Sequence, residues 1–250
     1  MIRSTVRNRV AFLTLDRPER ANALDLAGWY ALRDALRAAG ADDDVHCIVL
    51  HATGAHFCSG MDLSVFGELT ARFSDTADPD ARRTAIAEFI RELQDCITAA
   101  EDCGKPVLAA VQGGCIGGGL DLVAACDARY CSEDAYFTIK EVDLGIVADL
   151  GTLQRLPDIL RPGLVAELAY TGRRMAAPEA LTRGLVNASY PDPETLLAAV
   201  NALAETIAAK PPAVVRGIKH TLLHRRGRGV GEGLRFVADL SAALIGRAAE

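Results

Sequence analysis

The sequence predicts an α/β protein in which strands and helices alternate before a helical module closes the chain. Three observations carry this. Residues 47–50 and 107–111 are continuous apolar runs with the length of buried strands. Segments with apolar residues at helical spacing follow such runs, as in successive βαβ-type units. Beyond Gly151 the strand signals fade and helical periods dominate.

Residues 6–15 alternate apolar and polar positions and read as the first strand. Asp25 is placed to cap a helix whose Leu26, Trp29, Leu32 and Leu36 share one face. The strand at 47–50 runs into a loop of small residues at 51–62. Residues 67–80 are polar and are expected to form a mobile loop. A long amphipathic helix is expected over 82–103, with Ile86, Phe89, Ile90, Leu93, Ile97 and Ala100 at helical spacing. Gly104-Lys105-Pro106 stops it. The strand at 107–111 leads through a glycine-rich turn into a helix ending at Ala125. Two short strands are expected at 128–131 and 136–139. Helices follow at 151–160, 163–171, 178–183, 194–209, 212–224 and 231–246, interrupted by one strand at 186–190.

The 250 residues carry 27 Lys and Arg against 33 Asp and Glu, a formal net charge of -6. That balance argues against bulk electrostatic binding of nucleic acid or an anionic membrane. Half of the residues are hydrophobic, too many for a disordered chain. Seven cysteines, an odd number with no C-x-x-C pair, do not make a disulfide framework. Reduced thiols point to a cytosol-like compartment, and a cytoplasmic location is expected. Residues 1–16 hold Arg3, Arg7 and Arg9 but no long apolar run, so no targeting segment is expected. Arg247-Ala248-Ala249-Glu250 is not a peroxisomal address. Residues 106–126 hold only Gln112 and Asp121 as strongly polar groups. Their five glycines and central acid read as strand, turn and helix rather than as a membrane span.

The strongest local feature is Gln112-Gly113-Gly114-Cys115-Ile116-Gly117-Gly118-Gly119-Leu120-Asp121. It fits neither G-x-G-x-x-G nor the P-loop, since Gly119 stands where the lysine belongs. It offers bare amides near a helix N-terminus, which stabilise developing negative charge. Close helix–strand packing explains the same glycines. Phe57-Cys58-Ser59-Gly60-Met61-Asp62-Leu63 is a second small-residue loop after a strand, placed either to add an amide to the same oxyanion or to turn the chain. Phe57 breaks a G-x-S-x-G match, and Cys58 reads as a buried thiol. Asp121, Glu141 and Asp149 fall in apolar surroundings. Without a counter-charge, burial raises a carboxyl pKa toward the range of a neutral-pH proton shuttle; a cap or a turn explains each singly. Asp127 and Asp143 read as structural acids. His220 and His224 have a metal-compatible spacing but lack H-E-x-x-H, and read as a basic helix end with Lys219, Arg225, Arg226 and Arg228. No metal site is expected.

Together these pieces resemble the enoyl-CoA hydratase/isomerase (crotonase) superfamily. The resemblance spans residues 10–240. It rests on Leu15-Asp16-Arg17-Pro18-Glu19-Arg20-Ala21-Asn22-Ala23-Leu24, on 57–63, and on Lys105-Pro106-Val107-Leu108-Ala109-Ala110-Val111 leading into the glycine turn. Ala124, Cys126-Asp127 and Lys210-Pro211-Pro212 add to it. It implies a spiral of ββα units over residues 1–192, holding the active site. A helical module over 193–250 would serve oligomerisation and pocket closure. It further implies an acyl-CoA thioester substrate, a homotrimer or dimer of trimers, and no separate cofactor, coenzyme A entering as part of the substrate. Membrane and nucleic-acid partners are not expected. By position, the oxyanion hole falls on the amides of Met61 and Gly118. Arg20, Ala21, Cys58, Ser59, Gly60, Asp62, Leu63 and Gly117 fall along the CoA and acyl path. Lys219 and its basic neighbours are weaker candidates for the CoA phosphates.

Asp121, Glu141 and Asp149 look like the acid set of the Delta(3,5)-Delta(2,4)-dienoyl-CoA isomerase branch. A standard hydratase of the superfamily has Glu at position 121 and a glycine-rich turn at 148–149. Two departures are the missing peroxisomal signal of some members and a short C-terminal tail. The resemblance implies isomerisation of 3,5-dienoyl-CoA to 2,4-dienoyl-CoA, with Glu141 as base at C2, Asp149 as acid at C6 and Asp121 orienting the pair or tuning its charge. The roles of Glu141 and Asp149 are exchangeable at this level. The alternatives are a 2-enoyl-CoA hydratase and a non-catalytic CoA- or RNA-binding relative, the latter supported only by Arg225-Arg226-Gly227-Arg228.

Overall fold

The structure is a computed structural model and describes residues 1–74 and 77–247. The chain opens with an antiparallel hairpin of β1 (Ile2–Arg7) and β2 (Val10–Leu15). Its two-residue turn, Asn8 and Arg9, has φ of 50° and 63°. Turns of that hand match the twist of the flanking strands, so the single strand expected over 6–15 is in fact two. The remaining strands of this sheet, β3 (Cys47–Ala52), β4 (Val107–Val111), β6 (Ala128–Ser132) and β9 (Ala188–Tyr190), add in parallel, in the order β1-β2-β3-β4-β6-β9. A second sheet holds β5 (Gly114–Ile116), β7 (Tyr136–Thr138) and β8 (Met175–Ala176).

Side chains alternate between the two faces of a strand, and both faces of the large sheet are covered. Val10, Phe12, Cys47, Val49, Leu108 and Ala110 pack on Leu196, Val200, Ala204 and Ala208 of α8 (Pro193–Ala208). Ala11, Leu13, Ile48, Leu50, Val107, Ala109 and Val111 face the main core. That core also takes Trp29, Leu32 and Leu36 of α1 (Leu26–Ala41), Phe89, Leu93 and Ile97 of α3 (Pro79–Asp102), and Leu120 and Leu122 of α4 (Gly118–Ala124). Burial on both faces is why these strands read as unbroken apolar runs.

The ββα repeat follows from the order of the sheets. β4 lies in the large sheet, β5 in the small one, and α4 returns the chain; β6 and β7 repeat the step. Two single bridges, Leu24 with Met61 and Cys58 with Cys115, extend the small layer to the earlier turns. Each turn of the spiral therefore delivers a loop to the same seam between the layers, where the glycine turn lies. The expected crotonase-like α/β spiral is the observed fold.

Asp25 caps α1 as expected, its carboxylate accepting from the Gly28 amide at 2.8 Å. The expected polar loop at 67–80 is different: α2 (Leu63–Ser74) is helical, and positions 75 and 76 lie outside the described residues. Apolar residues at 63, 65, 66 and 73 recur at helical spacing and Asp62 stands before them, a signal outweighed by the polar residues between. The helix expected over 151–160 is broken into α5 (Thr152–Arg155) and one 3-10 turn at Leu156–Asp158, because Pro157 has no amide to continue it. The chain finishes through α6 (Pro162–Thr171), α7 (Ala177–Arg183), α9 (Pro212–His224) and α10 (Val230–Arg247). Residues 248–250 of the C-terminal tetrapeptide lie outside the described residues. No helix among the described residues is long and apolar enough to cross a membrane.

Candidate active site

A cavity of about 770 Å³ opens at the seam of the two layers. One side is formed by Ser59, Gly60, Met61, Asp62 and Leu63, another by Ile116, Gly117 and Gly118, and a third by Glu141, Leu144, Ile146, Asp149 and Leu150. Phe73 of α2 and Ile86, Phe89, Ile90 and Leu93 of α3 supply an apolar wall. The cavity is thus suited to an apolar chain beside a few polar groups.

The 57–63 loop is fixed by the block at 15–24. Asn22 is buried and donates to the carbonyls of Thr53 and His56, each at 2.8 Å, while accepting from the Arg17 amide. The Arg17 guanidinium reaches Asp62 at 2.8 Å. Asp62 also accepts from the Ser64 amide and hydroxyl at the start of α2, and these bonds with Arg17 hold its carboxyl below the usual range. Gly60 has φ +86°, and a Cβ there would stand 3.0 Å from the Gly118 amide nitrogen and 2.9 Å from the Ile116 carbonyl. Only glycine lets the two loops touch at this point. Met61 and Gly118 both line the cavity. Among the described residues neither of their amides donates a hydrogen bond within the chain. Gly118 is the first residue of α4, where the helix dipole adds positive character.

The three acids converge. Asp121 is buried in α4, with one oxygen accepting from the Thr152 amide at 2.6 Å and the other without a partner. Glu141 packs over the backbone at Gly117, where a Cβ would lie 2.9 Å from its carboxylate oxygen. Its second oxygen is buried and unpartnered. Burial pushes Glu141 up to about 7, and the charges of Asp121 and Asp149 push the same way. Burial lifts Asp121 to about 6, against the hydrogen bonds from Thr152. Asp149 is half-buried on the cavity wall, and burial raises it as well. Burial raises all three carboxyls, neighbouring charge adds to the rise of Asp121 and Glu141, and at about 7 Glu141 exchanges a proton readily near neutral pH. Beside two free amides, they can move a proton on and off a chain whose carbonyl is polarised.

Of the expected site residues, Met61, Gly118, Glu141, Asp149, Arg20, Ser59, Gly60, Asp62, Leu63 and Gly117 line one cavity. Asp121 lies behind the wall and acts on its neighbours through charge and through Thr152. Ala21 and Cys58 do not reach the cavity surface. Ala21 instead accepts from the Ser59 amide at 3.0 Å. The Cys58 thiol is fully buried against the Asn22 carbonyl, with burial pushing its pKa up to about 12. Lys219 needs correction as a phosphate candidate. It is buried, and its ammonium donates to the carbonyls of Ala100 and Lys105 and to Asp127 at 2.6–2.9 Å. Asp127 is structural as expected, since it also accepts from the Val107 amide. Arg226 pairs with Glu101, Arg228 with Glu232, and His224 stacks on Phe236 at 3.9 Å. Much of the basic patch is therefore tied within the fold. Among the described residues no group of three or more His, Cys, Asp or Glu is arranged to hold a metal ion.

Sequence reasoning missed three contributors. Trp29 lies under Gly118, so that a Cβ at 118 would meet its ring at 3.0 Å. Gln94 donates to the Asp149 carbonyl at 2.7 Å. Arg155 holds the Leu150 carbonyl at 3.2 Å. Trp29 was legible as a core residue of α1; the other two carry no local signal.

The chain belongs to the enoyl-CoA hydratase/isomerase family, whose model matches residues 5–243. Within that family it is 43% identical over 245 residues to the peroxisomal Delta(3,5)-Delta(2,4)-dienoyl-CoA isomerase of Arabidopsis thaliana, covering 98% of this chain and 88% of the relative. It is 40% identical to the mitochondrial enzyme of that name from Mus musculus, covering 97% of this chain and 74% of the relative. The enoyl-CoA hydratase of Bacillus anthracis superposes with a TM-score of 0.86 at 29% identity, covering 98% of this chain and 90% of that one. The expected resemblance to dienoyl-CoA isomerases therefore holds over nearly the whole chain.

Proposed function

We propose that this protein isomerises 3,5-dienoyl-CoA thioesters to 2,4-dienoyl-CoA in fatty acid degradation. One observation carries the reading: Glu141 and Asp149 line the same cavity as Met61 and Gly118. The thioester oxygen accepts from the amides of Met61 and Gly118, which acidifies the C2 protons. Glu141 takes a proton from C2, and its electron pair enters the conjugated system to give a dienolate. Asp149 gives a proton to C6, and the double bonds settle at C2 and C4. One proton leaves the chain and one returns, so the substrate is rearranged without net addition. Glu141 then holds the proton that Asp149 has lost, and exchange with solvent resets the pair. Two acids are needed because C2 and C6 lie four bonds apart, beyond the reach of one fixed short side chain. Asp121, held by the Thr152 amide, tunes the charge of the pair.

The acyl chain lies against Phe73, Ile86, Phe89, Ile90 and Leu93, with the CoA portion along Arg20 and the 59–63 loop. A homotrimer or dimer of trimers is supported by exposed Ile218 and Leu222 on α9 and Leu234 and Ile245 on α10. Seven cysteines without a disulfide support a reducing, cytosol-like compartment.

The test is Asp149→Asn assayed with 3,5-octadienoyl-CoA. Turnover should fall about 100-fold or more, the usual scale for a lost acid, while the variant still binds the thioester. Full retained activity overturns the assignment. Crotonyl-CoA hydration, measured alongside, distinguishes a hydratase.

A further inference from the structure

The segment that carries Asp149 is held from outside the cavity. Gln94 of α3 donates to the Asp149 carbonyl at 2.7 Å, and the Thr152 amide donates to Asp121 at 2.6 Å. Between these points Arg155 Nη1 donates to the Leu150 carbonyl at 3.2 Å. The same guanidinium reaches Glu101 on α3 through Nε at 3.1 Å and Nη2 at 2.7 Å, and Thr98 through Nη2 at 3.1 Å. Gly151, at φ +122°, makes room for it: a Cβ there would stand 1.8 Å from Nη1. Glu101 is buried, and its other carboxylate oxygen accepts from Arg226, in the turn that follows α9.

We propose that Arg155 is a positioning residue for the acid cluster, and that Glu101 couples its setting to Arg226 in the C-terminal helices.

A planar guanidinium that bonds three oxygens at once has one orientation, which a lysine cannot reproduce. Through it the 149–152 segment is locked to α3, the helix that walls the cavity. Burying such a cluster is a poor way to gain stability, because desolvation offsets the Coulombic attraction. What the cluster supplies is a fixed relation between Asp149, Asp121 and the bound chain. Its positive charge also opposes the effect of burial on Asp121. Arg226 completes the pairing of Glu101 and so transmits the seating of the turn between α9 and α10 to a catalytic loop.

The inference rests on the isomerase reading, and its test separates the two. In the full chain, Arg155→Lys should lower kcat for 3,5-octadienoyl-CoA about 10- to 100-fold, the scale of a misplaced reacting group, with KM within twofold. Arg226→Gln, at a partly exposed site, should lower kcat about threefold or more with KM again unchanged. Hydrogen exchange at the Thr152 amide, which does not depend on turnover, should quicken in both variants while the β4 amides stay as in wild type. Unchanged exchange at Thr152 in both variants overturns the proposal, whatever the wild-type reaction proves to be. So does a kcat within twofold of wild type in both. An inactive wild type overturns the isomerase reading, and the exchange measurement then decides the positioning role alone.

Discussion

Asp121 is the acid whose burial makes the sharpest numerical demand on the structure. Its carboxyl has an ordinary pKa of 3.8 and is lifted to about 6 in the fold, chiefly by burial. At about 1.36 kcal/mol per pH unit, its ionised form is less favourable in the folded state by about 3 kcal/mol. The sign follows from linkage: the folded carboxyl keeps its proton after the unfolded one has lost it. Its stabilising contribution is therefore complete below pH 3.8, is lost as pH rises toward 6, and is absent above. Asp121→Asn removes the titration. Any constant cost of the new amide, which leaves one NH group beside no acceptor, cancels when the two proteins are compared across pH. Urea unfolding of both at several pH values should show the variant gaining on wild type by about 2 kcal/mol between pH 4 and 7.5. Relief of Glu141, whose pKa Asp121 also raises, acts in the same direction. A difference that stays flat, or falls as pH rises, refutes the description of Asp121 as a buried and poorly compensated acid.

Two further substitutions probe other parts of the account. Gly117→Ala places a methyl 2.9 Å from the Glu141 carboxylate at a backbone of φ +51°; kcat should fall about 10-fold or more, with a loss of about 1 kcal/mol in stability from the strained backbone, read by kinetics and thermal melting. Lys219→Met takes the ammonium away from the Ala100 and Lys105 carbonyls and from the Asp127 carboxylate, which keeps the Val107 amide. It should cost about 1–2 kcal/mol, the scale of lost hydrogen bonds to a charged group, in urea unfolding without changing the affinity for coenzyme A measured by calorimetry, whereas a role at the phosphates would weaken that affinity.

The fold was legible wherever an unbroken apolar run or a clean helical period marked an element. The runs at 47–50 and 107–111 and the periodic face of α3 had no competing reading, because no polar position diluted them. The turn at Asn8 and Arg9 was lost because an alternating pattern crosses it and arginine is not a usual residue at positive φ. The strand β5 was absorbed into the glycine turn, since three residues with one glycine carry too little pattern. α2 was hidden by the polar residues between its apolar positions. Asp121 and Asp149 stood out by their uncharged surroundings and the two small-residue loops as sources of bare amides, whereas the choice of Met61 and Gly118 came from the family resemblance. The supports were not legible. Gln94 and Arg155 act through backbone carbonyls 55 and 5 residues away, and such a bond asks nothing of the sequence at its acceptor. Lys219 was misread for the opposite reason, as its exposed basic neighbours gave it a surface context that the α9 packing removes.

The catalytic reading reduces to two protons handled at two ends of one bound chain. Running the reaction in D2O with 3,5-octadienoyl-CoA and locating the label by mass spectrometry tests this directly. The account predicts a 2,4-dienoyl product carrying deuterium at C6, delivered by an acid that has exchanged with solvent. A product without label at C6, or a 3-hydroxyacyl thioester formed by adding water, would contradict it.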